Sequence, residues 1–529
     1  MSEMTHPTPE HSASEHFEYL VVGAGPAGVQ MGFHLQQAGR SYQILEAGSR
    51  AGTFFETHPR HRTLISINKV YTGYDDREIN ERWDWNSILG DGTEKLFKEY
   101  SKEYFPPADA LLDYLNDYVE HFGLAVRYDT EVTRIEKPGD RFELTVRQGG
   151  TLTCDHLIVA TGFMRPNLPP IPGIELTENY VDVSVDPEDF IGQRVLILGK
   201  GNSGFETADN LVGTTALIHI ASPTPIRLAW QTHHVGHLRA VNNNFLDTYQ
   251  LKSQNAVLDC HIESIEKAED GTYRVAVSYT HADEEAEVAV YDRVIVCAGF
   301  AFDDGIFGDS CRPEVAIDGR FPKLGSDWQS VNVPGLYFAG TLMHMRDFKK
   351  FTSGFIHGFR YNVRALHHLL EERNHGRAWP SRSIPDTPEG LTEAMIDRIN
   401  RTPALWQQFG FLCDLVVPQG DGTALYYEDL PFDLVRDQTR GGSGEYFLMD
   451  LEFGKKQADP FHVARHPDPE RGEDSFFLHP VIRHYEGTEM LGEHHILEDL
   501  YAEWHNEKAH VAPLRRFLAQ RQAAAVAGG

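Results

Sequence analysis

The sequence predicts an α/β fold: two Rossmann-like dinucleotide-binding units, one inserted in the other, and an α+β region after them. Three observations carry this. A short apolar strand runs into Gly23-Ala24-Gly25-Pro26-Ala27-Gly28 and then a helical stretch. The same order recurs at Gly199-Lys200-Gly201-Asn202-Ser203-Gly204. Isolated apolar strands ending in small residues, at 157–162, 294–299 and 336–340, supply the crossings such a nested arrangement needs.

Residues 17–22 form the first predicted strand, the helix reaches about Ala38, and a second strand at 42–45 ends on Glu46. This is a βαβ unit and starts a parallel sheet. The second unit has a strand at 194–198, a helix from about Phe205 to Leu211 and a strand at 216–220. A last strand at 336–340 leads into a helix from about Phe355 to Leu370. The predicted division is 17–175 with 290–380 for the first unit, 176–289 for the second, and 383–529 for the C-terminal region. Ser383 to Pro388 reads as a linker, and helical spacing recurs at 395–400 and 496–504. The C-terminal region is expected to cover the substrate site.

A chain of 529 residues with 41% hydrophobic and 24% charged residues is globular and long enough for several domains. Its net charge of −30 argues against nucleic acid and against anionic membranes as partners. The first sixteen residues lack the apolar core of a secretory signal, and no run of eighteen apolar residues occurs, so a cytoplasmic location is expected. None of the five cysteines lies in a Cys-x-x-Cys, which fits a reducing compartment and disfavours a dithiol mechanism. The pairs His233-His234, His367-His368 and His494-His495 lack framing ligands, so no metal is expected.

The first motif has its full context. Gly23 permits the tight turn, Gly25 lets a pyrophosphate approach the backbone, and Gly28 lets helix pack on strand. The helix N-terminus favours the phosphates, and Glu46 can accept both ribose hydroxyls. FAD is expected here. The second motif, Gly199, Gly201, Asn202, Ser203 and Gly204, lacks the acid; Ser222 and then Arg227 follow its second strand. A hydroxyl and a guanidinium suit a 2′-phosphate, so NADPH is expected in preference to NADH. Ala160-Thr161-Gly162 and Gly340 end strands where backbone can approach a cofactor. Ser353 and Gly354 begin the last helix, where their amides would face the flavin.

Gly199 to Glu206 resembles the NADPH motif of the flavin-containing monooxygenase superfamily, and Ile67-Asn68-Lys69 is similar to the segment those enzymes place beside the reactive flavin position. Longer stretches are similar to the FAD-dependent oxidoreductase domain-containing protein 2 family, flavoproteins of the endoplasmic reticulum. These are 64–69, 84–87, 183–189, 246–253, 354–361 and 478–482. That family carries a signal peptide and a retention tail, which this sequence does not show, so a role in protein quality control is not carried over. The Baeyer–Villiger fingerprint is missing around 181–190. The chain also resembles single-component flavin-dependent halogenases, which implies a lysine and a glutamate near the flavin; Lys252 and Glu206 are the candidates. Trp83-Asp84-Trp85-Asn86-Ser87-Ile88 invites comparison with a two-component halogenase signature but has Leu89 where proline is required.

Together these readings predict a single-component NADPH- and FAD-dependent oxygenase. It forms a flavin C4a-hydroperoxide, with Asn68 donating to the peroxide, and oxygenates a small organic substrate. The alternatives are a halogenase, in which halide takes the oxygen first, and a non-oxygenating flavin reductase or flavoprotein scaffold.

Overall fold

The computed structural model describes residues 15–250, 254–438, 440–454 and 467–527. Lys252 lies outside the described residues.

Strand β1 (Glu15–Val22) is exposed at its polar start and fully buried over Leu20–Val22, where it enters the core. Helix α1 (Pro26–Gln37) follows, with Pro26 in its first turn, where a missing N–H costs nothing. Strand β2 (Tyr42–Leu45) returns parallel to β1, and helix α2 (Ala108–Phe122) ends on Gly123 in the left-handed region. The sheet is completed by β3 (Thr151–Val159), parallel to β1 along its whole length. Its other edge is shared. The first half of β3 pairs antiparallel with 142–146, and the second half pairs parallel with a strand returning from much later in the chain.

The second sheet repeats this plan. Strand β4 (Arg194–Leu198) feeds helix α3 (Asn202–Leu211), and β5 (Leu217–Ser222) lies parallel beside β4. Strand β6 (Arg293–Val296) pairs with the other edge of β4. The chain therefore leaves the second sheet after Val296, not at about 290 as predicted, because 293–296 is hydrogen-bonded within it. An antiparallel ribbon of 165–166 with 300–301 carries both crossings between the units. Strand β7 (Leu336–Phe338) is the late partner of β3, and helix α4 (Ile356–His375) follows.

Residues 381–495 contain a six-stranded antiparallel sheet in the order 381–385, 423–431, 412–418, 445–452, 479–486, 489–495. The predicted linker is thus an edge strand, Ser381–Pro385, followed by Thr387, whose side chain accepts from Gly390 N and caps helix α5 (Pro388–Arg401). The helical spacing at 496–504 is a loop: Leu500 and Tyr501 are 83% and 75% exposed, and Asp499 takes the amides of Tyr501 and Glu503. The C-terminal helix α6 (Ala512–Ala527) packs on α5. One continuous core joins this sheet to the first unit, running from Val21 and Leu157 through Leu366 to Leu415 and Leu448.

A buried charge cluster anchors the C-terminal sheet. Arg398 Nε donates to Asp414 Oδ2 at 3.0 Å and Nη2 to Asp429 Oδ1 at 2.6 Å; Arg398 is 3% exposed and Asp414 0%. Asp429 also takes Arg364 of α4 at 2.6 Å. Removing one member of such a cluster leaves charge unpaired in a dry interior. Arg398→Met is expected to lower unfolding free energy by about 3–5 kcal/mol in urea titration. A change below about 1 kcal/mol would show that the cluster is not anchoring the sheet.

Candidate functional site

In the first motif, Gly23 has φ +102°, and a Cβ there would lie 2.8 Å from the Ala160 carbonyl oxygen. A Cβ on Gly28 would lie 1.9 Å from Gly23 O. The helix is seated directly on its own turn, and the turn on the end of β3. Gly25 has nothing within 4 Å of a built Cβ, so the space ahead of the helix is open. Helix α1 has no side-chain cap and no acidic residue in its first turn. Its leading amides are left for an anion. Glu46 is buried; Oε2 accepts from Ala24 N at 2.7 Å and Oε1 from Gly48 N at 2.9 Å, so it holds the turn. Thr161 and Gly162 continue from Ala160 at the strand end, and Gly340 approaches Ala27 from the β7 side.

The second motif has the same geometry. Gly199 has φ +122° and presses on Cys297 O, where a Cβ would lie at 2.3 Å; a Cβ on Gly204 would lie 2.2 Å from Gly199 O. Gly201 is open, and α3 has neither cap nor acid at its start. The Asn202 side chain is fully engaged: Oδ1 accepts from Arg239 N at 2.9 Å, and Nδ2 donates to His237 O at 2.9 Å. Ser203 O accepts from Thr207 Oγ1. Lys200, not singled out from sequence, is clamped by Ser222 O, Thr224 O and Asp259. Ser222 Oγ donates to Thr224 O at 3.0 Å. Arg227 is exposed; burial first, then Arg320 and Arg227 nearby, hold the Lys349 ammonium below its ordinary pKa. These three cations come from both units.

Glu206 is buried in α3, and the Tyr180 hydroxyl donates to it; that hydroxyl accepts in turn from Arg60 N at 3.0 Å. Burial raises the Glu206 carboxyl to about 7 against the opposing effect of the Tyr180 hydrogen bond.

Helices α1 and α4 run in the same direction. Gln30 Nε2 donates to Arg360 O at 2.5 Å, and one further turn along His34 stacks on His367 with centroids 5.3 Å apart. Their N-termini therefore face one end of the first unit. Two expectations are corrected there. The Ser353 amide donates to Asp347 Oδ2 at 3.0 Å, and Asp347 Oδ1 pairs with His344 Nδ1 at 2.8 Å, so this amide is not free. Gly354 packs against the His344 ring. Asn68 is buried, but Nδ2 donates to Ser101 O at 2.8 Å and to Glu103 O at 3.3 Å; its donor ties two distant segments together instead of standing free. The backbone of Asn68 bridges Asp84, which sets it beside Trp85.

All five cysteines are buried and unpaired. Burial pushes Cys154 and Cys297 up to about 12 and Cys260 to about 11, and raises Cys311 and Cys413 as well. None is suited to be a thiolate nucleophile. Among the described residues no group of three or more His, Cys, Asp or Glu side chains is placed to hold a metal, and no helix is long and apolar enough to cross a membrane. Cavities of about 310 and 320 Å³ lie elsewhere, on the C-terminal sheet and against α2, and neither is lined by a motif residue.

Comparison with known proteins agrees with this arrangement. Residues 20–340 match the pyridine nucleotide-disulphide oxidoreductase family. The chain is 40% identical over 557 aligned residues to FAD-dependent oxidoreductase domain-containing protein 2 of Mus musculus, covering 95% of this chain and 84% of that one. It is 26% identical to senecionine N-oxygenase of Tyria jacobaeae, over 62% of this chain and 68% of that one. Among solved structures, a flavin-containing monooxygenase from Stenotrophomonas maltophilia shares the fold with a TM-score of 0.53 at 19% identity, covering 67% of this chain and 98% of that one. With two glycine-seated, acid-free helix starts in one molecule, the chain belongs to the pyridine nucleotide-disulphide oxidoreductase family, alongside the FAD-dependent oxidoreductase domain-containing protein 2 members.

Proposed function

We propose that the protein is a single-component oxygenase that binds FAD at the first motif and NADPH at the second and acts on a small organic substrate. The observation that carries this reading is the pairing of two open, uncapped helix N-termini with cysteines that are all buried and held as thiols. The first feature calls for two dinucleotides; the second removes the nucleophile a disulfide reductase would need. The relationship to an N-oxygenase supports the direction of the chemistry. FAD, when bound, supplies the acceptance of hydride and the activation of oxygen.

The chain's own residues bind and orient. Amides at the start of α1 hold a pyrophosphate, and Glu46 fixes the turn that presents them. Amides at the start of α3 hold the second pyrophosphate, and Arg227 faces a 2′-phosphate from the exposed loop after β5. Asn68 contributes by tying the segment that bridges Asp84, next to Trp85, to the 101–103 backbone. The test is to supply NADPH, oxygen and a panel of phenols, indoles and amines, with and without bromide, and to weigh the products. A gain of one oxygen atom supports oxygenation; halogenated product selects the halogenase; hydrogen peroxide alone across the panel counts against both.

Gly201→Asp separates the two nucleotide sites. Nothing stands within 4 Å of the new Cβ, and φ −94° suits any residue, so the fold should survive. The carboxylate would repel a phosphate. FAD content should be unchanged and reduction by NADPH lost; reduction at the normal rate would remove α3 from the site. Arg227→Ala should raise the NADPH KM roughly tenfold, the worth of one charged hydrogen bond, and leave NADH unaffected.

Glu206 gives a pH signature. Its folded pKa, about 7, stands above the unfolded 4.5, so its contribution is fully present below pH 4.5 and is lost as pH rises through 7. Glu206→Gln should therefore gain stability over the parent progressively across that window, by about 3 kcal/mol at pH 8. A pH-independent difference between the two in thermal unfolding would show that Glu206 is ionised throughout.

A further inference from the structure

Arg239 is half-buried, and its guanidinium lies over the Trp85 ring, 5.1 Å from the centroid. Carboxylates far outnumber cations in this sequence, 78 to 48, and most of its arginines are paired. Yet the Arg239 guanidinium makes no hydrogen bond or ion pair with a described residue. The backbone around it is held: Arg239 N donates to Asn202 Oδ1, and Asn202 Nδ2 donates to His237 O. Against the same indole lies His357, in the first turn of α4, with ring centroids 4.3 Å apart. His357 is 1% exposed, and neither Nδ1 nor Nε2 has a hydrogen-bond partner among the described residues. Phe355 stacks on it at 5.8 Å. Burial, with Arg360 and Arg239 nearby, holds its pKa well below the ordinary value, so the ring is neutral and offers one donor and one acceptor.

Two polar groups without a described partner lie against one indole, and one of them is a fully buried ring; together they point to a ligand that satisfies both. The guanidinium fork matches a carboxylate, and aromatic rings lie close by: Trp85 beside the guanidinium, Phe355 stacked on His357, and Tyr104, whose hydroxyl interacts electrostatically with Arg239. The position adjoins Asn68, whose amide donates to Tyr104 O at 2.8 Å. We propose that Arg239, Trp85 and His357 form the substrate subsite and that the substrate is an aromatic carboxylate, its carboxylate on Arg239 and a ring hydroxyl or amine on His357. This rests on the oxygenase reading and names its substrate class. The same guanidinium chemistry would suit the dinucleotide pyrophosphate, since the Arg239 loop is tied to the second motif, and the test separates the two.

Benzoate, 4-hydroxybenzoate and neutral benzamide are titrated into the FAD-loaded full-length protein without NADPH, and binding is read by calorimetry and by the flavin absorbance change. Benzoate should bind at least tenfold more tightly than benzamide, and 4-hydroxybenzoate more tightly still. Arg239→Gln should weaken benzoate roughly tenfold or more, the range for a charged hydrogen bond, with FAD content and NADPH affinity unmoved. Arg239→Lys should fall between, because an ammonium keeps the charge without the fork. His357→Leu should abolish the preference for 4-hydroxybenzoate over benzoate. Absence of benzoate binding, or unaltered binding in Arg239→Gln and Arg239→Lys, overturns the proposal. So does a loss of NADPH affinity in place of benzoate affinity, which would give Arg239 to the dinucleotide. Because binding is measured without turnover, it stands apart from the oxygenase reading, which fails on the absence of oxygenated product whatever binds.

Discussion

The site depends on one steric constraint, the seating of each motif helix on its own turn. Gly28 lies so close to Gly23 O, and Gly204 to Gly199 O, that any side chain would force helix and strand apart. Gly23 and Gly199 in turn lean on the carbonyls of Ala160 and Cys297, the ends of the strands that cross between the units. The amides that face a phosphate are therefore placed by backbone contacts at three levels: helix on turn, turn on crossing strand, strand in sheet. No side chain caps either helix, so the whole partial charge of each N-terminus is left for a ligand.

Around this frame, buried arginines do what regular structure does elsewhere. Residues 81–96 contain no helix or strand, and the irregular backbone must still satisfy its carbonyls. Arg360, fully buried, donates to Ser87 O and Glu81 O, each at 2.8 Å. Arg82 runs the other way and donates to Ile399 O and Thr402 O at the end of α5. These two side chains tie the segment carrying Trp85 to α4 on one side and to the C-terminal region on the other. A buried guanidinium is costly to desolvate, but with several carbonyls it fixes register, which suits a segment that must present a side chain at one place.

The parts legible in the sequence were local. Strand, turn glycines, helix and acid lie within one βαβ unit, so both motifs and the sheets they start could be read from spacing. What failed was decided by distant partners. Ser381–Pro385 contains the turn-forming residues of a linker, but 423–431 offers it a ladder, and Pro385 is tolerated because the strand is at an edge. At 496–504 the apolar spacing is helical, and Ile496, Leu497 and Trp504 are buried, yet Ala502 sits at φ +54°, which no helix allows. Likewise Asn68 was found by resemblance, but the carbonyls that occupy its amide belong to residues 101 and 103, more than thirty positions on. Arg239 and the isolation of the His357 ring had no local signature; the only hint was His357 within a segment quoted for its family likeness.

The two halves of the site are not independent. Asn202 begins helix α3 and so stands where a second dinucleotide would lie, and the same side chain holds the 236–239 backbone from both its oxygen and its nitrogen. Arg239 then reaches the indole of Trp85, in the first unit. A shift of Asn202 by even a few tenths of an ångström would strain these short bonds and carry the guanidinium with it. The second unit thus meets the first through a rigid chain of one side chain, one loop and one cation–π contact. Further ties, among them His234 Nδ1 to Phe351 O at 3.3 Å and Arg60 N to Tyr180 OH at 3.0 Å, also join the two units. The position of the guanidinium over Trp85 is therefore a measure of how the two nucleotide units sit on each other.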